Sequence, residues 1–160
     1  MRIVGGDLRG RTLATPRSEA IRPTTDRTRE AVFNILVHGF GDKLERARVL
    51  DLFSGTGALG IEALSRGAGF CLFIEESVEG RGLIRSNVEA FGLQGRTKLF
   101  RRDATRMGEV GTMAPFGLVF ADLSPERRAG EPGLTESGVK GELGCGVSGH
   151  VDGLATSRFA

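Results

Sequence analysis

Apolar runs of strand length alternating with amphipathic stretches predict an α/β chain built on a parallel, doubly wound sheet. Three observations carry this. Residues 48–53, 70–74, 97–100 and 118–121 are short apolar runs rich in Val, Leu, Ile and Phe. Helical patterns separate the first three. A glycine-rich turn, SGTG, joins the first run to its helix. The 160 residues fit one domain, and 39% hydrophobic with 26% charged residues is a globular composition.

Residues 1–23 read as an arm punctuated by Gly, Arg and Pro, with room for a short hairpin. Pro23 precedes Thr24-Thr25-Asp26, a hydroxyl cap followed by an acid, which starts a helix over 24–38. Val32, Ile35 and Leu36 share its apolar face, and Gly39 and Gly41 end it. Residues 48–53 form the first strand. A helix from Ala58 to Arg66 follows and stops at Gly67. Phe70 to Ile74 is the second strand. Residues 77–91 form a helix with Ile84, Val88 and Phe91 on one face, weakened by Gly80 and Gly82. Thr97 to Phe100 and Leu118 to Ala121 complete the set.

Beyond Asp122 the chain changes character. Eight Gly and two Pro fall in residues 123–160, and nine of the ten Phe lie before them. The expected division is therefore 1–122 as the folded domain, with the Rossmann-like part at 48–122, and 123–160 as an irregular Gly-rich tail. The sheet would run 3-2-1-4 and end at an exposed strand four, an edge open to self-association.

The net charge of +2 says little, but its distribution is uneven. Residues 1–29 hold Arg2, Arg9, Arg11, Arg17, Arg22, Arg27 and Arg29 and no lysine. A guanidinium fork matches phosphate oxygens, so the arm suits nucleic acid as well as plain solvation. Cys71 and Cys145 make neither a disulfide framework nor a zinc site, and no His or Cys has metal-ligand spacing. No apolar run approaches the ~18 residues of a membrane helix. The N-terminus, MRIVGGDLRGR, lacks the apolar stretch of a signal peptide, which predicts a cytoplasmic protein.

The segment DLFSGTGALG, residues 51–60, closes a strand, turns through glycine and opens a helix. Backbone N–H groups in such a turn can approach a ligand at the strand's carboxyl end. The pattern Gly55-x-Gly57-x-x-Gly60 also matches a dinucleotide fingerprint, a weak signal alone. Dinucleotide turns place the first glycine directly after the strand, whereas Asp51, Leu52, Phe53 and Ser54 intervene here. A strand-end carboxylate repels a pyrophosphate and suits a cation. S-adenosylmethionine carries an ammonium and a sulfonium and no phosphate. Glu75, 24 residues after Asp51, follows the second strand and can accept from two ribose hydroxyls. Asp103 follows the third, where it can receive an adenine amino group. Any one of these acids reads equally well as a solvated turn residue; three of them beside a glycine loop line one crevice.

With these motifs in hand, the chain resembles the bacterial small-subunit rRNA guanine-N2 methyltransferases of the RsmD type, a Rossmann-like class I family dependent on S-adenosylmethionine. The resemblance rests on RIVGG near the N-terminus, RPTTDRTREAVFNIL at 22–36, DLFSGTGALGIEALSRGA at 51–68, FIEES at 73–77 and RRDA at 101–104, and it spans residues 1–122. It implies that Asp51, Phe53, Ser54, Gly55, Thr56 and Gly57 hold the methionine end of the cofactor, Glu75 the ribose, and Asp103 with Ala104 the adenine. It implies that Thr24-Thr25-Asp26 packs beside the cofactor and that Arg2, Arg9, Arg11, Arg22 and Arg27 grip RNA. The implied reaction is methylation of guanine N2 in 16S rRNA (the guanine-966 type), free or in a small-subunit assembly particle. The chain itself is expected to be a monomer with no membrane partner.

The resemblance also implies an Asp-Pro-Pro-Tyr motif at the end of strand four, with Asp122 as the catalytic acceptor. Here Leu123, Ser124 and Pro125 follow Asp122, and the chain has neither Tyr nor Trp. A break inside a motif, coincident with the compositional break, predicts a reading-frame change near codon 123, with genuine divergence as the alternative. Two other functions compete: a non-catalytic RNA- or cofactor-binding remnant of the same family, and a nicotinamide-dependent oxidoreductase. Asp51 at the strand end and the lack of room for a substrate domain argue against the last.

Overall fold

The computed structural model describes residues 1–106, 113–122, 148–151 and 154–157. Helix α1 spans Asp26–Phe40 and continues into a 3-10 turn, Gly41–Leu44. Strand β1 (Arg48–Leu52), helix α2 (Ala58–Ser65), strand β2 (Phe70–Ile74), helix α3 (Val78–Ala90) and strand β3 (Thr97–Phe100) follow in alternation. Strands β4 (Leu118–Asp122), β5 (Ser148–Val151) and β6 (Leu154–Ser157) complete a six-stranded sheet ordered β3-β2-β1-β4-β6-β5.

The expected 3-2-1-4 core is present and parallel, with Leu52 opposite both Ile74 and Ala121. The expected end of the sheet at strand four is corrected. Strand β6 pairs antiparallel with β4, placing Leu154 opposite Asp122, and β5 pairs antiparallel with β6. Backbone hydrogen bonding by β6 therefore occupies the β4 edge expected to be open to self-association. The tail's glycines hid two strands too short to show alternation. Residues 123–147, where the Leu123-Ser124-Pro125 departure lies, fall outside the described residues.

Side-chain alternation along the strands divides the core in two. Val49, Cys71, Phe73, Leu118 and Phe120 face α1, α2 and α3. Leu50, Leu52, Leu72, Ile74 and Val119 face the other way, joined by Phe116. Among the described residues all three α-helices contribute to the first face, so the second layer of helices expected of a doubly wound sheet is not seen there. Thr25 caps α1, its Oγ1 accepting from Thr28 N at 3.1 Å. Val32 and Leu36 are buried as expected. Phe33 takes the place expected for Ile35, tilting against Phe120, while Ile35 is 49% exposed. The buried stripe of α1 runs through Arg29, Val32, Phe33 and Leu36, and Ile35 lies to one side of it.

The N-terminal arm is a docked hairpin rather than a loose tail. Ile3 N donates to Arg11 O and Leu13 N to Met1 O, and the Ile3 and Leu13 side chains enter the main core. A buried polar hub holds this hairpin down. Glu62 on α2 accepts from Val4 N at 3.0 Å and from Gly5 N at 2.8 Å. Arg66 Nε donates to it at 2.9 Å, and Arg29 Nε lies 3.8 Å from its other oxygen. Arg29, fully buried on α1, also donates to Arg2 O at 2.5 Å, Thr24 O at 2.5 Å and Asp26 Oδ1 at 2.7 Å. These charges persist out of water because Glu62 is met by Arg66 and faced by Arg29, and Arg29 by Asp26 and two main-chain carbonyls. No described helix is long and apolar enough to cross a membrane.

Removing Glu62 leaves the Val4 and Gly5 N–H groups without their acceptor and leaves buried Arg29 with Asp26 as its remaining carboxylate. Glu62→Ala is expected to lower the unfolding free energy by about 3–5 kcal/mol, read from urea denaturation. A loss within the ~0.5 kcal/mol typical of a surface substitution would show that the hub is solvated.

Candidate functional site

A cavity of about 510 Å³ opens at the carboxyl ends of β1, β2 and β4. That position is where parallel α/β sheets bind ligands, and its size suits a small molecule. The β1–α2 loop forms its floor. The sharp turn after β1 puts Phe53 at φ 55°, a left-handed backbone that strains a non-glycine residue, followed by Gly55 at φ 54° and Gly57 at φ 76°. The Ser54 hydroxyl sits 2.5 Å from Asp51 O and accepts from Ile74 N at 3.1 Å, stapling the ends of β1 and β2.

Asp51 is buried, and its Oδ2 accepts from Gly60 N at 3.0 Å. Helix α2 begins at Gly57 without a side-chain cap of its own, so the strand-end carboxylate supplies one and faces the helix's positive end. Gly60 permits this closeness: a Cβ there would lie 2.4 Å from Phe73 and 2.6 Å from Cys71 Sγ. Burial pushes the Asp51 carboxyl well above its ordinary range; Gly60 N–H opposes this, while the Asp122 and Glu75 charges add to it.

Glu75 follows β2. Its Oε2 accepts from Gly55 N at 2.7 Å and its Oε1 from Ser77 N at 2.8 Å. Each oxygen retains a second lone pair for another donor. Gly80, which looked unfavourable in a helix, lies against this carboxylate: a Cβ there would come within 2.7 Å of Glu75 Cγ. Asp122 ends β4, and its Oδ2 accepts from Thr24 Oγ1 at 2.5 Å.

The structure brings Asp51, Phe53, Ser54, Gly55, Thr56, Glu75, Ala104 and Asp122 around one cavity. It places Gly57 just outside the lining, where it starts α2 against Ile84. Asp103 also lies outside it; its Oδ1 accepts from Thr105 N at 2.9 Å and Thr105 Oγ1 at 2.6 Å, closing its own turn. Arg2, Arg9, Arg11, Arg22 and Arg27 are exposed, and Arg22 reaches the cavity wall. Arg11 is engaged within the fold, donating to Ala90 O at 2.8 Å and stacking on Phe91.

Sequence reasoning missed the wall formed by residues 20–23. Glu79 on α3 pins its start, accepting from Arg17 N at 2.7 Å and from Ser18 through both N–H and hydroxyl. These bonds hold the Glu79 carboxyl below its ordinary range. Glu76, Glu79 and Arg102 also line the cavity, so five carboxylates face two guanidinium groups. No local motif announces that wall, since its anchors are 61 and 98 residues away. Among the described residues, no three His, Cys, Asp or Glu side chains are grouped to hold a metal ion.

A β3-β2-β1-β4 parallel sheet with a glycine loop after β1 and acids at the carboxyl ends of β1, β2 and β4 defines a Rossmann-like fold of the class I methyltransferase kind. A solved structure described as "Putative methyltransferase yhhF from Escherichia coli" superposes with TM-score 0.64 at 25% identity, covering 99% of this chain and 96% of that one. Residues 1–125 match the family described as "Conserved hypothetical protein 95", and the chain belongs to it. The match ends close to the compositional break. The chain is 38% identical over 106 residues to "Putative rRNA methyltransferase YlbH" of Bacillus subtilis, covering 66% of this chain and 55% of that protein. It is 52% identical over 75 residues to "Ribosomal RNA small subunit methyltransferase D" of Escherichia coli K12, covering 47% and 36%. The chain thus matches about half, or less, of the length of these relatives.

The Asp51 environment has a pH signature. With its folded pKa raised, the folded chain holds a proton there that the unfolded chain releases. The group's stabilising contribution is full below the ordinary Asp range and is lost as pH rises through the folded pKa. Asp51→Asn, which keeps an acceptor for Gly60 N–H, should be more stable than the wild type at pH 8, with the difference vanishing near pH 4. Equal urea midpoints at both pH values would contradict the burial of this charge.

Proposed function

We propose that the crevice binds S-adenosylmethionine and that the chain's chemistry is methyl transfer to guanine N2 of 16S rRNA; its relatives' names describe rRNA methyltransferases. The observation that carries this is the excess of carboxylates around a cavity floored by a glycine loop. A ligand with an ammonium and a sulfonium, and no phosphate, fits that charge. The loop Phe53, Ser54, Gly55 and Thr56, with Gly57 behind it, would hold the methionine end beside the buried Asp51 carboxyl. Glu75 has lone pairs for two ribose hydroxyls, and Ala104 in the turn closed by Asp103 would border the adenine. When bound, the cofactor supplies a methyl group made electrophilic by its sulfonium.

Guanine N2 is a poor nucleophile because its lone pair is delocalised into the ring. An acceptor for its hydrogens helps it pyramidalise, a gain from positioning and electrostatics. Asp122 is that acceptor in this reading. Of the arginines, exposed Arg2, Arg9, Arg22 and Arg27 are proposed to meet RNA phosphates, while Arg11 serves the fold.

One specific observation favours a second reading, cofactor binding without appreciable turnover. Leu123, Ser124 and Pro125 replace the motif that would aim Asp122 and stack the base, and the chain has no Tyr or Trp to substitute.

Isothermal titration with S-adenosylhomocysteine is expected to give micromolar binding, weakened about 10- to 100-fold by Glu75→Ala, the range of a charge-assisted hydrogen bond. NAD should be silent. Binding of NAD, or no binding of S-adenosylhomocysteine, would overturn the cofactor assignment. Methyl incorporation into 16S rRNA that Asp122→Asn abolishes would support the catalytic reading. Intact cofactor binding without incorporation would select the second.

A further inference from the structure

Thr24 and Asp122 lie 98 residues apart, yet the Thr24 hydroxyl donates to Asp122 Oδ2 at 2.5 Å. Both line the crevice. Thr24 is the only side chain among the described residues seen to donate to that carboxylate. Its own place is fixed from two directions. The next residue, Thr25, caps α1, so the main chain at Thr24 is the lead-in to a helix. The Thr24 carbonyl accepts from Arg29 Nη1 at 2.5 Å, and Arg29 is fully buried, held by Arg2 O, Asp26 and Glu62.

We propose that Thr24, anchored through its carbonyl by buried Arg29, is a positioning residue that aims the Asp122 carboxylate at the acceptor position of the crevice. A carboxylate turns easily about its terminal torsion, whose profile is broad. One short hydrogen bond to Oδ2 selects an orientation and directs Oδ1 towards a donor entering the crevice. Such aiming matters because a misplacement of ~1 Å can cost about 100-fold in rate. In this chain the residues after Asp122 depart from the family's motif, so the N-terminal wall carries an aiming role that the motif would otherwise share.

The proposal rests on the cofactor reading above, and its test does not need turnover. Sinefungin is the cofactor analogue with a protonated amine where the transferable methyl would be; S-adenosylhomocysteine lacks both. The ratio of their affinities reports a carboxylate held at the acceptor position. Titration calorimetry on the full chain is expected to show sinefungin binding about 10-fold or more tighter, as a charge-assisted hydrogen bond provides. Asp122→Asn should reduce that preference sharply. Thr24→Val should reduce it to a similar degree, and Thr24→Ser should restore it. Thr24→Ala is a second hydroxyl-free variant, and S-adenosylhomocysteine binding by each variant reports an intact crevice. Hydroxyl-free variants that bind S-adenosylhomocysteine and keep the full sinefungin preference would overturn the proposal and leave the cofactor reading standing. So would a wild type that binds both ligands equally. A wild type that binds neither overturns the cofactor reading and the proposal with it.

Discussion

The ion pair between Arg29 and Glu62, both fully buried, is the constraint on which the N-terminal third of the structure depends. Neither charge could be withdrawn from water alone. Together they tie residues 2–5 of the hairpin, residues 24–29 at the start of α1 and residues 62–66 of α2. Of the fully buried side-chain polar atoms at the hub, Arg29 Nε alone has no hydrogen-bond partner, facing Glu62 at 3.8 Å. The consequence is that an arginine-rich N-terminus, which composition would allow to be a loose basic tail, becomes the wall of the crevice.

The crevice itself holds charge in tension. Asp51 is buried beside α2, with Glu75 and Asp122 near enough for their charges to disfavour its ionisation. Phe53 adds a strained backbone at the same place. The Glu75 and Asp122 charges and the Phe53 strain, gathered at the carboxyl edge of the sheet, oppose stability, and such features concentrate where ligands act. A cationic ligand relieves the repulsion, whereas a pyrophosphate would deepen it. That asymmetry, more than the spacing of the glycines, separates a sulfonium cofactor from a dinucleotide.

Much of this was legible in the sequence. Strands at 70–74 and 97–100 matched residue for residue, because their apolar runs are bounded by glycine, charge or a cap. The glycine loop and the acids at 51, 75 and 122 were readable because a strand end is a local event. What could not be read depends on distant partners. Glu62 carried a signal that went unused: it is the one charged residue in a helix otherwise made of Ala, Leu, Gly, Ile and Ser. Asp103 is placed after β3 by the sequence, and its contact closing a turn to Thr105 is visible only in the fold. Strand β6 was invisible because its pairing with β4, rather than its own side chains, defines it.

The central claim is that one crevice, walled by the N-terminal segment and floored by the glycine loop, is the cofactor site. Hydrogen exchange of the full chain, with and without S-adenosylhomocysteine, tests it most directly. The account predicts slowed exchange concentrated at residues 20–25, 53–57 and 75–80, with the outer turn of the hairpin at 7–10 unchanged. Protection that leaves the glycine loop untouched, or that appears at the amino ends of the strands instead, would contradict it.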